Sequence, residues 1–152
     1  MRSALVAASF SALLCGCSAD PAPVVEVLGA SPSALTLGRD DANDLAIRVH
    51  YEDADGDLGG GVAEIHDCRA RALVTTLPIP ALATPEAVDE GVTIAGELSL
   101  RVGDVGAVSP GTSSVCQGLG APATAFCVIL EDAAGNRSEG DCTGAIPITA
   151  AP

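Results

Sequence analysis

The sequence predicts an all-β protein, a two-sheet antiparallel sandwich, and three observations carry that expectation. Short apolar-rich segments recur between turn clusters, several of them alternate apolar and polar residues with period two, and none shows sustained helical periodicity between caps. Seven or eight short strands in about 125 residues is the density of a sandwich.

Val24, Glu26 and Leu28 open the first segment, and Ala34 to Leu37 forms a short second one. Leu45, Ile47, Val49 and Tyr51 alternate with Ala46, Arg48 and His50, the pattern of a strand with one face in a core. Val62 to Cys68 and Ala72 to Leu77 follow, and three prolines between 78 and 85 mark a loop. Val92, Ile94, Leu98, Leu100 and Val102 share one face of a long strand, with Glu97, Ser99 and Arg101 on the other. Ala123 to Leu130 and Gly144 to Thr149 complete the set, and no internal repeat divides the chain.

The opening stretch, MRSALVAASFSALLCGCSAD, is of another kind. Arg2 precedes an uncharged run from Ser3 to Leu14, too short for the roughly 20 residues of a membrane-crossing helix but suited to a secretory signal. Leu14-Cys15-Gly16-Cys17 resembles the lipobox of bacterial lipoproteins, with Gly16 in the small position before Cys17. The resemblance implies cleavage before Cys17, a diacylglycerol on its sulfur and an acyl chain on its amine. Three chains would hold the protein in a membrane, and Ser18 leans toward the outer one. The chain then divides into a lipoprotein signal (1–16), a lipidated N-terminus and tether (17–24) and a sandwich domain (25–150). An ordinary secretory signal, cleaved near Gly16 or Ala19, is the alternative.

Beyond residue 16 the chain carries six arginines, no lysine and 20 carboxylates, so 6 − 20 gives −14. Such a surface lacks the basic patches that nucleic acid requires. Only Tyr51 and Phe126 supply aromatic rings there, and without aromatic platforms a carbohydrate-binding role is disfavoured. The core must be built from Val, Ile, Leu and Ala.

The segment ATAFCVILEDAAGNRSEGDC, residues 123 to 142, resembles the final hairpin of bacterial immunoglobulin-like and fibronectin-type-III-like modules. It implies an immunoglobulin-like sandwich. The chain departs from antibody domains in having no tryptophan, and in placing Ala125 where a tyrosine corner would stand.

Apart from Cys17, the exported part contains Cys68, Cys116, Cys127 and Cys142, an even set that reads as two disulfides. Hairpin geometry selects a pairing. With Ala133-Ala134-Gly135-Asn136 as the loop and Gly135 at positive φ, Asp132 faces Arg137 and Cys127 faces Cys142. Cys68 then pairs with Cys116, pinning the glycine-rich loop 103–120. A metal–thiolate site is disfavoured because this part has no CxxC spacing.

Residues 51 to 61, YEDADGDLGGG, hold the sharpest chemistry. Asp53, Asp55 and Asp57 stand at EF-hand positions 1, 3 and 5 with Glu64 at 12, yet Leu58 occupies the glycine position and strands flank the segment. An EF-hand is therefore rejected. In an immunoglobulin-like sandwich, however, the loop after Tyr51 and the loop after Leu130 lie at one end. Six carboxylates, Glu52, Asp53, Asp55, Asp57, Glu131 and Asp132, would converge there. Asp53, Asp55, Asp57 and Asp132 become candidate Ca²⁺ ligands, and DxDGD resembles calcium loops of extracellular β modules. The competing expectation is a solvated acidic turn.

No GxSxG, HExxH or phosphate-cradling loop occurs, and His50 and His66 have no sequence-level partner and are expected on exposed polar faces. The expectation is a non-catalytic, membrane-anchored envelope lipoprotein with a structural or protein-interaction role and a partner that the residues do not name. A calcium-dependent binding or adhesion module is the second expectation.

Overall fold

The computed structural model describes residues 21–37, 44–105, 114–116 and 123–150. Among them are ten strands and one short helix: β1 (Val24–Ser31), β2 (Leu35–Leu37), β3 (Asp44–Asp53), β4 (Val62–Asp67), β5 (Ala72–Pro78), α1 (Pro85–Asp89), β6 (Ile94–Asp104), β7 (Ala123–Thr124), β8 (Phe126–Glu131), β9 (Asp141–Cys142) and β10 (Ile146–Ala150). The predominance of strand bears out the all-β expectation. Two larger sheets have the orders β1-β3-β6 and β5-β4-β8-β9, and a third, small one runs β2-β10-β7.

Alternation builds the core. On β3 the inward positions are Leu45, Ile47, Val49 and Tyr51, all buried, and on the other large sheet Ala63, Ile65, Phe126, Val128 and Leu130 meet them in one apolar cluster. The arrangement is compatible with a sandwich, in which the inner faces of two sheets share a core. The sheets also approach along one edge, where the Val27 amide of β1 donates to Asp141 Oδ2 of β9 at 2.7 Å. At one end of β4, buried Asp67 accepts from the Thr124 hydroxyl at 2.7 Å and from the Arg69 guanidinium, so its charge is paired rather than stranded.

Four expectations need correction. The arrangement is not antiparallel throughout, because β2 and β10 pair in parallel. That pairing joins segments more than a hundred residues apart, which no local pattern announces. The single strand expected over Ala123 to Leu130 breaks at Ala125: β7 pairs with β10 while β8 pairs with β4 and β9. Thr143 explains the break locally, since its amide donates to Phe126 O and its hydroxyl accepts from Phe126 N. The proline-marked loop holds α1, with Thr84 as N-cap, its hydroxyl accepting from the Ala87 amide, and Pro85 in the first turn, where a missing N–H costs nothing. Finally, His66 is not exposed: its side chain is 12% accessible and its Nε2 lies 3.2 Å from Glu64 Oε2. None of the described helices is long and apolar enough to cross a membrane.

Candidate cation centre

Period-two alternation dictates the place of the first candidate ligand. Asp53 is the last residue of β3 and falls on the same face as Leu45, Ile47, Val49 and Tyr51, so the strand drives its carboxylate inward, where it is 1% exposed. Its neighbour Glu52 falls on the opposite face and is exposed. The chain then turns back on itself. The Leu58 amide donates to Asp53 Oδ2 at 2.8 Å, the Leu58 side chain is fully buried, and Gly61 N donates to Leu58 O at 3.1 Å. Leu58 thus anchors the loop in the core, and Asp55 and Asp57 are held on a short tether above Asp53.

The second arm comes from the turn between β8 and β9. Asp132 is 3% exposed. Its Oδ1 accepts from the Asn136 backbone amide at 2.8 Å and its Oδ2 from the Asn136 side-chain amide at 3.0 Å. Gly135, at φ 91°, supplies the left-handed residue that closes this turn, as the sequence predicts. The register differs by one residue from expectation, because Asp132 N donates to Asn136 O and draws Asp132 into the turn; Arg137 therefore bridges to Glu131 rather than facing Asp132.

Contact between the arms depends on a glycine. A Cβ on Gly61 would stand 2.0 Å from Glu131 O and 2.9 Å from the Asp132 backbone, so only glycine lets the two chains approach this closely. The Ala133 amide then donates to Asp57 O at 3.2 Å and ties the arms together.

The result is a compact carboxylate group. One oxygen from each of Asp53, Asp57 and Asp132 lies within 4.8 Å of the others. Buried Oδ1 atoms of Asp53, Asp55 and Asp57 have no hydrogen-bond partner among the described residues. No ion pair among the described residues reaches any of the four aspartates: the arginines pair with Glu64, Asp67, Glu97 and Glu131. Two of the six expected carboxylates stay out of the group, Glu52 on the outer face and Glu131 on the Arg137 guanidinium at 2.8 Å.

The electrostatic consequence follows. Burial first, then the charges of Asp132, Asp55 and Asp53, push the Asp57 carboxyl up to about 6. Burial also raises Asp53, partly offset by the Leu58 amide. Two unit charges this close repel by roughly 3 kcal/mol at an effective dielectric of about 20. An assembly of like charges with buried, unpartnered oxygens is one whose repulsion a bound cation would relieve.

The donor set fits a hard one. Two oxygens bound to a single Ca²⁺ at about 2.4 Å can stand at most about 4.8 Å apart, and Ca²⁺ takes six to eight oxygens in flexible geometry. No histidine or cysteine joins the group, which argues against zinc or copper at this position.

At the far end of β8 the cysteines form a second centre. Cys68 bridges to Cys116 and Cys127 to Cys142, and Cys127 and Cys142 stand directly opposite each other in the β8–β9 ladder. Lipidation at Cys17 falls outside the described residues. No family model, no curated protein and no solved structure matches the chain.

Proposed function

We propose that the protein is a lipid-anchored component of the bacterial cell envelope, more specifically of the outer membrane, carrying a non-catalytic immunoglobulin-like sandwich that binds Ca²⁺ and acts in protein interaction. The observation that carries the calcium part is the buried, unpartnered Asp53 Oδ1 beside Asp57 and Asp132. A solvated acidic turn keeps its carboxylates in water or on backbone amides. Asp53 does neither with this oxygen. Bound Ca²⁺ would join the β3–β4 loop to the β8–β9 turn and fix the shape of that end of the domain, the end at which a loop-mediated partner would be read.

The finer fold assignment draws support from strand order. The orders β1-β3-β6 and β5-β4-β8-β9, with the short β2 running parallel to β10, are the arrangement expected if β3, β4 and β8 serve as strands B, C and F. The anchor rests on Leu14-Cys15-Gly16-Cys17 alone, and mass spectrometry of the N-terminal peptide tests it: a triacylated Cys17 is expected, and an unmodified terminus contradicts it.

Calcium binding has a built-in reporter. Tyr51 is the only tyrosine in the chain and lies two residues before Asp53 on the same inward face, roughly 7 Å away along the strand. Titration with terbium should therefore give tyrosine-sensitised luminescence that Ca²⁺ reverses and Mg²⁺ reverses far less, since Mg²⁺ demands octahedral geometry and sheds water reluctantly. Absence of luminescence, or equal reversal by both ions, contradicts the calcium reading.

A further inference from the structure

The two disulfides are not independent. Cys68 Sγ lies 3.4 Å from Cys127 Sγ, so the two bridges touch through one sulfur each. Cys68, Cys116 and Cys127 are at least 96% buried, whereas Cys142 is only partly covered. Cys68, Cys127 and Cys142 border an open cavity of about 470 Å³, with Glu139 and Asp141 on its wall. Reacting atoms about 3–3.5 Å apart are at near-attack distance. Nothing in the calcium reading uses this arrangement.

We propose that the four cysteines form a thiol–disulfide relay that Cys142 opens to small neutral or cationic thiols. In the first step an external thiol loses its proton and its sulfur attacks Cys142 Sγ. A mixed disulfide forms, the Cys127–Cys142 bond breaks, and Cys127 leaves as a thiolate. In the second step Cys127 attacks the adjacent Cys68 Sγ. A Cys68–Cys127 bond forms, the Cys68–Cys116 bond breaks, and Cys116 leaves with the electron pair and takes up the proton. A second external thiol resolves the mixed disulfide at Cys142, releasing the oxidised thiol as its dimer. Two thiols are oxidised, and Cys116 and Cys142 end as free thiols with one bridge, Cys68–Cys127, remaining.

Position explains the direction. Attack begins at Cys142, the least buried of the four cysteines, and exchange then runs inward along the 3.4 Å contact rather than outward. The wall of the cavity explains the substrate class. Glu139 and Asp141 repel an anionic thiol at the entry point and favour a cationic one.

The test uses the purified, oxidised protein under native conditions. It is pulsed with cysteamine, quenched in acid, alkylated with N-ethylmaleimide and mapped. Cleavage after Arg69, Arg101 and Arg137 and after Phe126 places each of the four cysteines on a separate peptide. The expected partly reduced species carries a Cys68–Cys127 link with Cys116 and Cys142 alkylated. A species with Cys68–Cys116 intact and Cys127 and Cys142 both alkylated overturns the relay. Anionic 3-mercaptopropionate should react more slowly than cysteamine, with a difference that collapses in high salt; equal rates at low salt overturn the substrate class. Cys142→Ser gives a second reading without reductant. Its unpaired sulfur should distribute between Cys127 and Cys116, and confinement to Cys127 in the folded variant contradicts the inward step.

Discussion

Strand β8 is only six residues long, yet its two ends are held by opposite kinds of chemistry. At Phe126-Cys127 it is fixed by covalent bonds, with two disulfides in contact and Thr143 satisfying both backbone groups of Phe126. At Leu130-Glu131-Asp132 it runs into a cluster of three aspartates, Asp53, Asp57 and Asp132, that no ion pair with an arginine reaches among the described residues. On the proposed reading, one end should be indifferent to dissolved ions, and the other should respond to a cation. The solution should therefore govern one end and the redox state the other.

The largest effects should come from the covalent end. Replacing Cys68 and Cys116 together by alanine opens a loop of 48 residues and should cost about 4 kcal/mol; the Cys127 and Cys142 pair, separated by 15, should cost about 3. Denaturant titrations in Ca²⁺ and in EGTA should show the same loss. A loss that depends on calcium would mean that the two ends are coupled.

Next in size is Gly61→Ala. The added methyl would meet Glu131 O and the Asp132 backbone, and overpacking of this kind costs about 1–3 kcal/mol. Because it separates the two arms, the variant should also lose its calcium response, which a packing defect elsewhere would spare.

Smaller, and opposite in sign, is Asp57→Asn. In EGTA at pH 7.5 it removes a charge whose pKa is raised from 3.8 to about 6, so it should stabilise the protein by roughly 1–2 kcal/mol after allowance for partial exposure. The same variant should gain little from calcium. Destabilisation in EGTA would contradict the carboxylate repulsion inferred for this end.

Acid should separate the ends further. Asp57 has a folded pKa above its unfolded value, so the folded state binds the proton more tightly, and metal-free stability from this end rises as pH falls from about 7 toward 4. The increment from calcium shrinks over the same range as protons replace the ion. Glu64 behaves in the reverse way. The Arg137 guanidinium, helped by His66, holds its carboxyl below the usual range, so its contribution is present above about 4.5 and lost as pH falls further. Arg137 is 45% exposed, and Glu64→Gln should cost under about 1 kcal/mol.

The parts of this fold that rest on a local period were legible in the residues. Leu45 to Tyr51 declared a half-buried strand, and that alternation carries Asp53 to the inner face. The hairpin reading placed Cys127 opposite Cys142, the pair that the structure joins, although its register beside the turn is off by one residue, with Arg137 facing Glu131 rather than Asp132. What depends on distant partners was not legible. Nothing near Leu35 announces a parallel neighbour at Ile148, and nothing in Ala123 to Leu130 marks the change of partner at Ala125. Five residues were too few for α1 to display a helical period, although Thr84-Pro85 carries its capping chemistry. At the cation centre the acidic stretch was visible, but not the selection within it. Glu52 and Glu131 are excluded by strand face and by Arg137, and Gly61 matters only because Glu131 passes behind it.

The most direct test of the cation centre is a pair of thermal melts, in millimolar Ca²⁺ and in EGTA with a magnesium control, on the wild-type protein and on Asp53→Asn. A ligand that binds only the folded state at 100 times its Kd adds about 2.7 kcal/mol. The account predicts a calcium-specific rise in Tm that grows with concentration and disappears in Asp53→Asn. Superimposed wild-type melts, or a rise that survives the substitution, would contradict it.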